Sequence, residues 1–130
     1  MLASLSLAAC AGMMSQGETV KVSLSGTEEV PTAATAGTGS GSFTVAPDGS
    51  IKGSVTTTGV QGTMAHIHQG ARGANGPVIV PLIKNGDTYS APPAAKLNEA
   101  QMQAFKAGNL YVNVHSDRYK GGEVRGQLRP

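Results

Sequence analysis

The chain has 130 residues, 39% hydrophobic and 14% charged, enough for one ordinary domain and too few for two. One cysteine excludes an intramolecular disulfide framework and any multi-cysteine zinc or iron–sulfur site, and three histidines can build at most one small metal centre. The formal charge of +2, basic residues scattered from Lys21 to Arg129 and the lack of tryptophan argue against a nucleic-acid partner.

No charge precedes Glu18, and Leu2 to Met14 is apolar and small. That run is shorter than the roughly 20 residues that span a bilayer, and it fits the apolar core of a secretory signal. Within it, Leu7-Ala8-Ala9-Cys10 resembles the lipobox of bacterial lipoproteins. The resemblance implies cleavage before Cys10, lipid attachment to its sulfur and membrane anchorage by acyl chains. Residues 1–9 then read as a signal remnant and 10–18 as a lipidated tether. The missing positive segment points to a start further upstream. Ala11 after the cysteine, by the same resemblance, favours the outer membrane of a Gram-negative envelope.

Residues 19–130 read as one domain rich in Gly, Thr, Ser and Val, a composition of short strands and turns. Thr19 to Leu24 alternates with period two and turns Val20, Val22 and Leu24 inward. Thr35 to Ser42 is small and flexible. Ser42–Val45 and Ile51–Thr57 form a hairpin about Pro47-Asp48-Gly49, where Pro presets φ and Gly accepts φ > 0. Met64–His68 is a strand, and Gln69–Gly76 a glycine-rich loop. Val78–Ile83 is a strand whose Pro81 marks an edge or bulge.

One helix is expected. Asn98 caps it and Gln101 completes a capping box. Leu97 and Met102 can form a hydrophobic staple, Met102 and Phe105 share the face that docks on the sheet, and Gly108 ends the helix.

Leu110 to Leu128 is read as a hairpin. Placing His115 opposite Glu123 sets Asn113 against Arg125 and Tyr111 against Gln127. Leu110, Val112 and Val114 then face Leu128, Gly126 and Val124. This register segregates polar from apolar; a one-residue slip mixes them. Glu123 and Arg125 read as a structural pair on the polar face.

His66-Ile67-His68 places two imidazoles on one face of a strand, roughly 6.5–7 Å apart along the chain. His115 lies on the polar face of another strand. If these strands are neighbours, all three histidines meet in a site open at a fourth position, suited to copper or zinc. Met64, Glu123 and Asn113 are further candidates as an added ligand or as outer support, Glu123 as a carboxylate orienting His115. Cys10, as the lipid anchor, stands outside that chemistry.

Several blocks resemble the CHRD domain, the module named for chordin and common in bacterial secreted proteins. They are Leu24-Ser25-Gly26 with Glu29-Val30-Pro31, Ala65-His66-Ile67-His68 with Gly70 and Asn75-Gly76-Pro77-Val78, Gly108 to His115, and Gly121 to Leu128. The resemblance covers about Val20 to Leu128 and implies an all-β, immunoglobulin-like, Greek-key antiparallel sandwich with one short helix. In chordin the module belongs to an extracellular growth-factor antagonist. The His-x-His strand is also similar to that of copper–zinc superoxide dismutases, which use more histidines than this chain has.

The expectation is an envelope-anchored domain that binds one copper ion, or alternatively zinc, through His66, His68 and His115, for metal handling or simple redox chemistry. Two alternatives stay open: a metal-free adhesion or interaction module using loops such as Gln69–Gly76, and a copper-only enzyme resembling superoxide dismutase. No protein partner is indicated. No Ser-His-Asp nucleophile, phosphate loop or paired-carboxylate site is visible.

Overall fold

Alternation builds the first strand. In a computed structural model, which describes residues 17–130, β1 is Glu18–Ser25, and Val20, Val22 and Leu24 are its buried positions. The turn at Pro47-Asp48-Gly49 joins β2 (Thr38–Val45) to β3 (Ile51–Thr58) in full antiparallel register. The segment read as small and flexible ends at Thr38, because β2 begins there and pairs with β1 along its whole length. The signal, lipobox and most of the tether lie outside the described residues.

β4 (Gly62–Gln69) carries the His-x-His motif. The apolar run after the loop splits at Pro81 into β5 (Val78–Pro81) and β6 (Ile83–Asn85), and β7 (Thr88–Ser90) follows. Proline donates no ladder hydrogen bond, so it sits at the end of an edge strand. The helix α1 is Glu99–Lys106, and β8 (Leu110–Ser116) and β9 (Val124–Leu128) complete the chain.

All strands join one antiparallel sheet of nine, in the order β5-β4-β8-β9-β1-β2-β3-β7-β6. The all-β expectation with one short helix holds, and the sheet is one nearly closed, barrel-like surface. Its closure follows from connectivity. β5 and β6 lie at opposite ends of the order yet are consecutive in the chain, and between them Leu82 N–H donates to the Ala65 carbonyl of β4 at 3.0 Å. One segment, Val78–Asn85, therefore supplies both ends of the sheet.

Inside lie Phe43, Ile51, Val55, Ile67, Val112 and Leu128, each no more than 1% exposed. Burying a side chain of this kind contributes about 1.5–3 kcal/mol. The helix has the expected caps. Asn98 accepts from Gln101 N–H at 2.8 Å, and Gln101 Oε1 accepts from Asn98 N–H at 2.9 Å. At its C-terminus Gly108, at φ +77°, lets Asn109 N–H reach the Ala104 carbonyl at 2.8 Å, a Schellman closure. Phe105 is buried and Met102 packs against the core, so the predicted face docks.

The β8–β9 register is the predicted one over Leu110↔Leu128, Tyr111↔Gln127, Val112↔Gly126, Asn113↔Arg125 and Val114↔Val124. The expected His115–Glu123 pair is not formed, because the ladder ends at Val124 and Glu123 N–H donates to the Val114 carbonyl at 2.8 Å. β8 also pairs with β4, setting His68 against Tyr111, His66 against Asn113 and Met64 against His115.

Candidate metal centre

These registers make a grid on the outer face of three adjacent strands. One row runs His68, Tyr111, Gln127; the next runs His66, Asn113, Arg125. His115 stands two residues beyond Asn113 on the same face, so the strands of the His-x-His motif and of His115 are direct neighbours. The three ring centroids are 5.5, 4.9 and 6.1 Å apart, and one ring nitrogen from each histidine lies within 4.8 Å of the others. Three imidazoles on one tetrahedral zinc, at 2.0–2.1 Å, would place their nitrogens about 3.3–3.4 Å apart. His66 Nδ1 and His115 Nε2 already stand at 3.1 Å, and the His68 nitrogen, within 4.8 Å of them, has to come closer for all three to ligate.

Backbone carbonyls set the tautomers. A carbonyl only accepts, so His68 Nδ1 carries the proton it shares with the Gly76 carbonyl at 2.9 Å, and His115 Nδ1 the one it shares with the Lys120 carbonyl at 2.8 Å. Both Nε2 atoms are thereby left as lone pairs, the form a metal needs. In the metal-free domain His115 Nε2 accepts from His66 Nδ1–H at 3.1 Å, so ligation through His66 Nδ1 requires that proton to leave that atom. His68 Nε2 is buried and has no partner. Burial lowers the pKa of His66, with His115 and His68 adding to the effect. Burial also lowers that of His68, partly opposed by the Gly76 carbonyl and the Asn113 amide. Neutral imidazole, the ligating species, is favoured at both positions.

The polar hairpin face is buried, because two irregular segments cover it. Arg125, 1% exposed, donates to the Ala71 and Ala74 carbonyls of the 69–77 loop at 3.0 and 2.8 Å. Gln127 Nε2 donates to the Gly70 carbonyl at 2.8 Å, and Tyr111 Oη accepts from Gly76 N–H at 3.0 Å. Asn75 Nδ2 reaches the Val30 carbonyl at 2.8 Å, and Arg72 pairs with Glu28. The glycine-rich loop is thus pinned over the grid, and it presents the carbonyl that orients His68.

Tyr111 lies between His68 and Arg125. Its ring stacks on His68 with centroids 4.7 Å apart and planes 2° off parallel. Glu29, from the segment after β1, is 4% exposed and faces Asn113 Nδ2 at 3.5 Å. Burial raises the Glu29 pKa to about 7, with Asn113 and Arg125 opposing. Gly122, at φ +130°, passes so close to Glu29 and Asn113 that any side chain there would collide with both.

Other predicted residues take different places. Glu123 and Arg125 do not pair. Glu123 accepts from Ser116 Oγ at 2.7 Å and Thr35 Oγ1 at 2.8 Å, while Arg125 is spent on loop carbonyls. The proton of His115 Nδ1 goes to Lys120 rather than to Glu123. Met64 lies beside His115 but is 52% exposed. Glu29, Gly76 and Lys120 escaped the sequence reading: two act through backbone carbonyls, which no side-chain pattern reports, and Glu29 follows a 3-10 turn without periodicity. Among the described residues, this is the one cluster of three or more metal-ligating side chains. No helix among them is long and apolar enough to cross a membrane.

A family model of the CHRD domain matches residues 20–128, which include every element of the grid. No curated protein and no solved structure matches the chain. The match spans most of the sequence, and the chain belongs to the CHRD domain family.

Proposed function

We propose that this CHRD domain binds one copper ion, with zinc as the alternative, through His66, His68 and His115, and serves metal handling or simple redox chemistry at the cell envelope. The observation that carries the reading is the convergence of the three imidazoles, with two of them held by backbone carbonyls so that Nε2 is unprotonated. Outer hydrogen bonds of this kind orient metal-bound histidines generally. A lipid on Cys10 would tether the domain to the membrane, with Gram-negative outer-membrane placement following from the residue after it.

Metal analysis of protein purified without a nickel column tests the site. The expected result is one copper or zinc per chain, or uptake of one on titration, lost in H66A/H68A. Wild-type protein that takes up neither ion sinks the reading.

Exposed Met64 and Val78, at 52% and 49%, favour a second reading, an interaction module that docks a protein beside the histidines. Under it, H66A/H68A keeps partner binding intact. A superoxide dismutase-like activity would be read directly on copper-loaded protein.

A further inference from the structure

We infer that Asn113 supplies a fourth protein ligand, its amide oxygen, so that the centre prefers a divalent ion such as zinc(II) or copper(II) over copper(I). The inference rests on the three-histidine reading above and narrows it.

Position comes first. Asn113 is the cross-strand partner of His66, lies one rung from His68 and two residues from His115, and is 3% exposed. It therefore sits amid the three histidines on their own face.

Orientation comes second. Asn113 Nδ2 is directed at two oxygen acceptors, Glu29 Oε2 and the Gly121 carbonyl, each at 3.5 Å. The Gly121 carbonyl only accepts, which assigns Nδ2 to that side and leaves Oδ1 buried and without a partner. His68 Nε2 is in the same condition, since its proton is on Nδ1. His68 and Asn113 are diagonal neighbours on adjacent strands and share one face, so two buried acceptors without partners lie in one small region. Leaving each unsatisfied carries the desolvation cost of a buried acceptor. A cation bound by both removes that cost.

The competing candidates lack a free buried donor atom. Both Glu123 oxygens hold hydroxyl groups, and Met64 is mostly in solvent. An amide oxygen with three imidazoles suits zinc(II) or copper(II); cuprous ion favours thioether and thiolate. Glu29, accepting from the other end of the amide, would make Oδ1 a better donor to the ion.

The test uses zinc(II), copper(II) and copper(I) as separate probes. In N113A, zinc(II) and copper(II) affinities are expected to fall by about 10–100-fold while copper(I) affinity holds. N113D, which keeps an oxygen at that position, is expected to restore zinc binding. Zinc titration of the wild-type chain followed by NMR should move the Asn113 side-chain NH2 resonances together with the histidine ring signals, and this measurement decides if N113A does not fold. Wild-type zinc(II) and copper(II) affinity in N113A, or side-chain resonances that stay still while the rings shift, overturns the fourth ligand and leaves the histidine site standing. A wild-type chain that binds none of the three probes overturns both.

Discussion

The Arg125 guanidinium lies 3.5 Å from the centre of the Tyr111 ring. The contact joins a fully buried cation to the ring that stacks on His68, and the same guanidinium holds the loop whose Gly76 carbonyl orients that histidine. Support for the site thus reaches it by two routes, through an aromatic face and through the backbone.

Arg125→Met keeps volume and removes the loop anchors. Two carbonyls lose charge-assisted donors, so a loss of about 2–4 kcal/mol in urea unfolding is expected. Amide exchange should quicken first in residues 70–76. Uniform quickening across the sheet would mean that the guanidinium serves packing alone.

Tyr111→Phe retains the stack on His68 and deletes the hydroxyl that accepts from Gly76 N–H. Stability should fall by about 1 kcal/mol, with a weaker His68 Nδ1–H hydrogen bond seen as an upfield shift of its proton. An unchanged His68 ring spectrum would show that the loop sets the tautomer unaided.

Glu29 gives the metal-free domain an unusual pH response. Its pKa is about 7 in the folded protein against 4.5 ordinarily, so the folded state binds more protons between those values. Stability should therefore fall as pH rises from 4.5 to 7, by on the order of 3 kcal/mol at most. E29Q should flatten this part of the curve and be more stable than wild type near pH 8. Parallel profiles for the two proteins would show that another group titrates.

The histidines act in the opposite direction. His66 and His68 have folded values below 6.5, so below that pH the unfolded chain takes up protons that the folded one does not. Their contribution is present above pH 6.5 and is lost as pH falls through the folded values. Comparing E29Q with E29Q/H66A/H68A between pH 4 and 7 isolates it: the first should lose stability on acidification and the second should not. Metal affinity should decline over the same range, since protons compete for the lone pairs.

Gly122→Ala places a methyl group against Glu29 and Asn113 at a positive φ. A loss of at least about 1–3 kcal/mol is expected from backbone conformation alone. Gly121→Ala, where nothing stands within contact distance, is the matched control and should change little.

Much of this was legible in the sequence because period-two alternation carries register. Tyr111 to His115 and Glu123 to Leu128 admit one pairing that keeps polar from apolar, and that pairing is found as far as Val114↔Val124, where the ladder ends short of His115 and Glu123. The helix caps were legible because Asn98 and Gln101 act locally. The site was legible only as far as side chains show it. That β4 and β8 are adjacent is a long-range fact of topology. The covering of the polar face depends on Glu29 and the 69–77 loop, which have no periodicity. Arg125 and Glu123 looked like a pair because they are two apart on one strand, yet each found a better partner across the fold.

The 3.1 Å contact between His66 and His115 joins residues 49 apart in sequence. An ion placed there would therefore act as a removable cross-link. It would close a loop containing the barrel seam and the helix, much as a disulfide closes a long loop. Unlike a disulfide, the ion is released when the chain unfolds, so loading would raise the unfolding midpoint through binding to the native state, in step with the free ion concentration, and would change the native shape little.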